Sequence, residues 1–220
     1  MEFAPRYKPN TLKDEVEVSV RHLNTTFKKK SVYVFGYGSL LHSGGWYGRV
    51  LAKPPKVKDL IECELDGFER GPFGIFFSTN FYGIVRNSKK TVNGVLARIH
   101  NLSDWINLMR TENVAGLTAL PTYRVIDVTE KISERLPDNS VIHTVCSRPS
   151  VKKIAIGTLP ENLEAFRANY YINETEPQIN YYEKVYRGVC KERSTGFVKK
   201  FLSTGGFRDG KEVETFINNF

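Results

Sequence analysis

Apolar positions first crowd together at Val32-Tyr33-Val34-Phe35, a β-rich run broken by Gly36 and Gly38. This is the pattern of a buried strand running into a tight loop. Ahead of it, residues 1–30 read as an arm: a polar, Pro-interrupted start, then a stretch over 12–27 suited to a short helix or an edge strand. Behind it, strand-like pieces follow at 57–68, 74–79, 82–86 and 92–100, separated by Gly-, Pro-, Asn- and Lys-rich turns. Glu62, Glu64 and Asp66 share a parity and form the polar face of one strand, while Glu69 sits at a strand end. The series predicts a barrel or curled sheet.

Helical spacing then takes over, with Ser103 as an expected N-cap, Leu102, Ile106 and Met109 on one buried face, and a stop near 112–116. Strands return at 122–131, where Tyr123, Val125 and Ile126 alternate with polar residues, and at 141–146. Pro160 and Pro177 suit the first turns of two further helices. The second should run to about 189, with Ile179, Tyr182, Tyr186 and Val189 toward the core. Val213, Phe216, Ile217 and Phe220 share a face of a final docking helix within 196–220. The expected fold is α+β, a small mixed β-barrel with flanking helices. Residues 1–30 form the arm, 31–192 the main domain and 193–220 a helical extension.

Composition narrows the class. With 40% hydrophobic and 12% aromatic residues in 220, the chain can build a packed core and contains no tract of disordered composition. There is no apolar run suited to a signal peptide or a membrane span, so a cytoplasmic location without a membrane partner is expected. Cys63, Cys146 and Cys190 are odd in number, widely spaced and lack a Cys-x-x-Cys pair, which argues against a disulfide framework or a zinc site. The net charge of +8 is spread over short clusters such as Lys28-Lys29-Lys30 and Lys199-Lys200, without a nucleic-acid motif. It reads as solvated surface charge, compatible with a small anionic substrate and not with a specific nucleic-acid partner.

The turn Gly36-Tyr37-Gly38-Ser39 lets successive backbone N–H groups face one concavity, a nest for a carboxylate or an oxyanion. A purely structural turn is the alternative. A dinucleotide-binding loop fails because Leu41 stands at the third Gly position and Ser43-Gly44-Gly45-Trp46 does not read as a helix. A serine-hydrolase elbow fails because Tyr37 and Leu41 stand at its Gly positions, which leaves His42 as a loop residue.

Val34-Phe35-Gly36-Tyr37-Gly38-Ser39-Leu40 resembles the Tyr-Gly-Ser loop of the γ-glutamyl cyclotransferase-like superfamily. That superfamily includes γ-glutamylamine cyclotransferases and the glutathione-degrading ChaC type. The order of the later pieces is also similar: Leu65-Asp66-Gly67-Phe68, then Val92-Asn93-Gly94-Val95-Leu96, then a helix ending Leu108-Met109-Arg110-Thr111-Glu112 before Tyr123-Arg124-Val125, and finally 177–188 with Tyr181 and Tyr182. Leu40 stands where many cyclotransferases carry Asn, as it does in the ChaC type. The 112–123 connection is longer than the family's, and 141–146 lacks the family's usual tyrosine.

The resemblance implies an enzyme that cyclises a γ-glutamyl amide or peptide to 5-oxoproline and releases an amine. It makes Glu112 the acid/base and Tyr37, Gly38, Ser39 and Leu40 the substrate-binding loop, with no cofactor and no metal. The nucleophile would be the substrate's own α-amine, and a glutamate in this role works best in a poorly hydrated pocket. A non-catalytic small-molecule-binding module on the same fold is the alternative implied. Substrate identity and oligomeric state stay open at this level.

Overall fold

The computed structural model describes residues 16–17, 20–47, 49, 51–76, 79–114, 123–137, 139–147 and 176–204. Strand β1 (Val16–Glu17) and helix α1 (Val20–Lys29) precede strand β2 (Ser31–Gly36), so the 12–27 stretch supplies both an edge strand and a helix. A 3-10 turn, Gly38–Leu41, and helix α2 (Ser43–Tyr47) follow β2 directly. Then come strands β3 (Ile61–Phe76) and β4 (Thr79–Ile99), helix α3 (Leu102–Thr111), and strands β5 (Tyr123–Asp127) and β6 (Ser140–Ser147). Helices α4 (Glu176–Glu192) and α5 (Thr195–Thr204) complete the described chain. The expected helix at Pro160 and the apolar face over Val213 to Phe220 lie outside the described residues.

The α+β class is as expected, but the sheet is not closed into a barrel. Its order is β1-β5-β6-β2-β4-β3, with β2 and β6 parallel and the other pairs antiparallel. β1 and β3 remain edges. Among the described residues, a single bridge between the two ends of the sheet, Leu65 to Ile132, links β3 to the residues after β5. One bridge does not make the continuous hydrogen-bonded register that barrel closure demands.

The four expected strand pieces are two long strands paired as a hairpin. Their punctuation became bulges instead of turns: Gly67, at φ +80°, stands alone opposite residues 87–90, and a second register shift falls between Gly71 and Gly74. Glu62, Glu64 and Asp66 face outward while Cys63 and Leu65 are buried, as the parity predicts. β2, β5 and β6 are covered on both faces, so the alternation around Tyr123 does not mark an exposed face: Arg124 is as buried as its apolar neighbours.

Helix α3 differs in detail from the sequence reading. Asn101, not Ser103, is its N-cap, with its side chain accepting from the Asp104 N–H at 2.8 Å. This shift places Trp105, Leu108 and Met109 in the core, while Leu102 and Ile106 are only partly buried. Pro177 does lie in the first turn of α4, whose Val185 and Val189 are buried. None of the three cysteines is in a disulfide; Cys63 and Cys146 are buried and Cys190 is exposed. No described helix is long and apolar enough to cross a membrane.

Candidate active site

The site begins where β2 delivers the chain into the loop. Gly38 adopts φ +60°, a conformation that a side chain disfavours. The loop then folds back as the 3-10 turn, and α2 packs upon it: Trp46 Nε1 donates to the Leu40 carbonyl at 2.9 Å. A Cβ on Gly45 would lie only 1.7 Å from the Ser39 carbonyl oxygen. This close approach requires glycine at 45. The segment is a short helix, which corrects the expectation that it is not helical. The dinucleotide reading still fails, because α2 is short and its first amide is already occupied: the Glu192 carboxylate accepts from Ser43 N–H at 2.7 Å and Ser43 Oγ at 2.6 Å.

The turn after α2 carries Arg49, whose N–H donates to the Trp46 carbonyl at 3.1 Å, back toward the loop. Arg49 Nη2 donates to Ser39 Oγ at 2.8 Å. The same guanidinium reaches Glu112, with Nε 2.9 Å and Nη2 2.7 Å from Oε1. Glu112 is positioned by the end of α3: its N–H donates to the Leu108 carbonyl at 2.9 Å, and Asn113, at φ 55°, turns the chain away immediately afterwards. Asn is among the few residues that take this left-handed conformation readily.

Ser39, Arg49 and Glu112 line one cavity of about 310 Å³ together with Tyr37, Leu40 and Tyr181. Its size is at the small end for ligand pockets. The four loop residues and the glutamate singled out from sequence therefore meet in space, although Gly38 contributes backbone and not lining. The Leu40 N–H is directed to the Tyr37 carbonyl at 3.3 Å, so the turn itself consumes that amide. Backbone groups of Ser39 and Tyr82 hydrogen-bond to the Tyr181 hydroxyl. The loop's hydrogen-bonding capacity is thus partly held by a phenol.

Two buried tyrosines, Tyr37 and Tyr123, and the partly buried Tyr181 surround the glutamate. Tyr37 Oη donates to the Val145 carbonyl at 2.8 Å, and Tyr123 Oη to the Tyr82 carbonyl at 3.0 Å. Burial pushes the phenols of Tyr37, Tyr123 and Tyr181 well above their ordinary range, and the Glu112 carboxylate pushes each further in the same direction. They are therefore neutral throughout the physiological range, and Tyr37 and Tyr123 spend their protons on those two carbonyls. Ser39 Oγ meets Arg49 and not a histidine. His42 instead packs against Gly188 of α4, and His100 is exposed beyond β4, so neither histidine serves Ser39 as a base.

Arg49 was not singled out from the sequence, where it is one cation in the apolar stretch between Tyr47 and Leu51; that isolation was the available signal. Tyr181 was noted only as part of a helix. Among the described residues, no three His, Cys, Asp or Glu side chains converge into a metal-ligand set.

No family model and no curated protein matches the chain. Among solved structures it is similar to YkqA from Bacillus subtilis, at 16% identity and a TM-score of 0.47, over 91% of this chain and 59% of that one. The chain thus spans less than two thirds of YkqA. It is also similar to At5g39720.1 from Arabidopsis thaliana, at 20% identity and a TM-score of 0.41, over 76% and 96% of the two chains. A third similar structure, at 17% identity and a TM-score of 0.40 over 87% and 100%, is a γ-glutamyl cyclotransferase.

Proposed function

We propose that the chain is a γ-glutamyl cyclotransferase-like enzyme that converts a γ-glutamyl amide or peptide to 5-oxoproline and a free amine. The observation that carries this reading is the meeting of Glu112, from the end of α3, with the Gly38–Ser39 turn across one small tyrosine-lined cavity. Two segments more than 70 residues apart in sequence supply a carboxylate and a polar loop to the lining of one space sized for a small molecule.

The chemistry needs little else. Folding the γ-glutamyl chain inside the cavity brings its α-nitrogen within reach of its own γ-carbonyl, which makes the attack unimolecular and removes much of the entropic barrier. Glu112 takes one proton from the α-ammonium, which frees the lone pair that forms the new C–N bond while charge gathers on the carbonyl oxygen. Collapse of the intermediate breaks the original C–N bond as Glu112 returns that proton to the departing nitrogen. The second proton, shed by the ring nitrogen, follows by the same carboxylate, so the α-ammonium becomes a lactam N–H and the leaving group departs as an ammonium, with charge balanced. The Tyr181 hydroxyl, hydrogen-bonded to the backbone of Ser39, stands beside the loop as the donor for the developing oxyanion.

The test is mass-spectrometric detection of 5-oxoproline after incubation with γ-glutamyl amino acids, γ-glutamyl amines and glutathione. Release from at least one class, in amounts proportional to enzyme, is the expected result. Saturable binding of these compounds without product from any of them would replace this reading with a non-catalytic binding module.

A further inference from the structure

Of the twelve side chains that line the cavity, two carry charge, Arg49 and Glu112, and they are paired with each other. The pairing leaves capacity on both sides. Arg49 commits Nε and Nη2, both to Glu112 and one also to Ser39, while Nη1 has no partner among the described residues. On Glu112 both contacts fall on Oε1 and neither on Oε2. A guanidinium that served only to fix the carboxylate would do so best through two parallel bonds to two oxygens. Here the pair is offset, its side chains remain 19% and 13% exposed, and it faces the cavity.

A γ-glutamyl compound brings the complementary pair of charges on one carbon, an α-carboxylate and an α-ammonium. Resting on the function proposed above, the geometry points to Arg49 as the residue that reads the substrate's α-carboxylate. The zwitterionic head exchanges with the Arg49–Glu112 ion pair: the carboxylate takes the guanidinium, with Ser39 Oγ beside it, and the ammonium takes Glu112. Two charge pairs replace one, so the exchange strands no charge in the half-buried site. A ligand that offers only one of the charges, or neither, either leaves the pair intact and finds no place or breaks it and leaves one partner unpaired, the costly outcome.

This exchange also orders the chemistry. Before substrate arrives, Arg49 holds Glu112 at the pocket wall; afterwards Glu112 faces the ammonium whose proton it must take. The loop is then relieved of carboxylate binding, and its remaining amide capacity, with the Tyr181 hydroxyl, is left for the γ-carbonyl oxygen. The specificity implied is for α-amino acids substituted at the γ-carboxyl. Amides of 4-aminobutyrate, which would cyclise by the same bond changes but lack the α-carboxylate, are excluded.

The experiment compares γ-glutamyl-alanine with the same compound carrying a carboxamide in place of the glutamyl α-carboxylate, using wild type, Arg49→Met and Arg49→Lys. Wild type should prefer the carboxylate form by about 100-fold or more in kcat/KM, the scale of discrimination when a buried polar group is left without its partner. Arg49→Met should lose that preference to within a few-fold, with Arg49→Lys intermediate. A preference that Arg49→Met keeps at wild-type strength, whether or not its overall activity falls, would overturn the assignment.

A second measurement separates this inference from the reading it rests on. L-Glutamate carries both α-groups and can be titrated calorimetrically whether or not the protein turns anything over. Binding by wild type that is lost in Arg49→Met and partly kept in Arg49→Lys supports the role of Arg49 even if no 5-oxoproline is ever formed. Binding that Arg49→Met retains at wild-type strength, or a wild-type protein that binds neither L-glutamate nor γ-glutamyl-alanine, sinks it.

Discussion

A Cβ on Gly38 would lie 2.8 Å from the Tyr181 hydroxyl oxygen and 2.9 Å from Cβ of Tyr82, in a backbone conformation at φ +60°. Gly38→Ala therefore meets two penalties, of which the left-handed conformation alone costs about 1–2 kcal/mol. The variant should unfold at lower denaturant and, because the displaced group is Tyr181 at the pocket, lose at least about tenfold in turnover. Wild-type stability would show that the loop relaxes freely. Glu112→Gln is the complementary change, since it keeps size and shape but cannot carry a proton. Turnover should fall by about 100- to 10,000-fold with little effect on unfolding, the range of lost acid–base catalysis. Glu69→Gln serves as the control. Glu69 accepts from Asn87 in the β3–β4 hairpin, away from the cavity, and its replacement should change activity by no more than a few-fold.

Between elements, the loop and α2 are clamped by α4. The ring of His42 lies where a Cβ on Gly188 would be, at 2.3 Å, and the Glu192 carboxylate at the end of α4 caps Ser43 at the start of α2. The clamp should be sensitive to acid. Partial burial pushes the Glu192 carboxyl up, but the hydroxyl and amide of Ser43, helped by His42 and Arg193, outweigh it and leave the group below its ordinary value of 4.5. A carboxyl lowered on folding adds stability above its unfolded value, and that stability is lost as pH falls through the folded one. Glu192→Gln should therefore be less stable than wild type near neutral pH, with the difference shrinking below about pH 4.5. Urea midpoints across that range would check it, and a difference that does not vary with pH would count against the clamp.

Over the whole molecule, the buried phenols make the opposite prediction at high pH. Tyr37, Tyr123 and Tyr181 are raised by burial, so the folded state disfavours their ionised forms. A group raised on folding contributes stability that is complete below its unfolded value, here 10.0, and declines as pH rises toward the folded one. Stability should fall above about pH 10, with phenolate absorbance rising in two phases, exposed tyrosines first and the buried set together with loss of tertiary structure. A single early phase that includes all the tyrosines in a still-folded protein would contradict the burial of the pocket.

Much of this was legible in the amino-acid sequence for local reasons. The strand before Gly36, the turn at Gly38, the outward parity of Glu62, Glu64 and Asp66, and the helix opened by Pro177 follow from side-chain period and backbone freedom, which neighbouring residues dictate. Other features required tertiary contacts. Whether the Gly71–Gly74 segment makes a turn or a bulge depends on the partner strand across the hairpin, and the register there joined four expected strands into two. Ser43-Gly44-Gly45-Trp46 carries no helical signal of its own, and becomes a helix because Glu192 caps it and the Ser39 carbonyl lies against Gly45. The sheet stays open because closure is a property of all its edges together. The sequence could nominate Glu112 and the loop separately, by type and by likeness to a family. Their shared cavity, and the Arg49 that holds one to the other, were decided only by folding, because an ion pair across 63 residues leaves no mark on the local pattern of either partner.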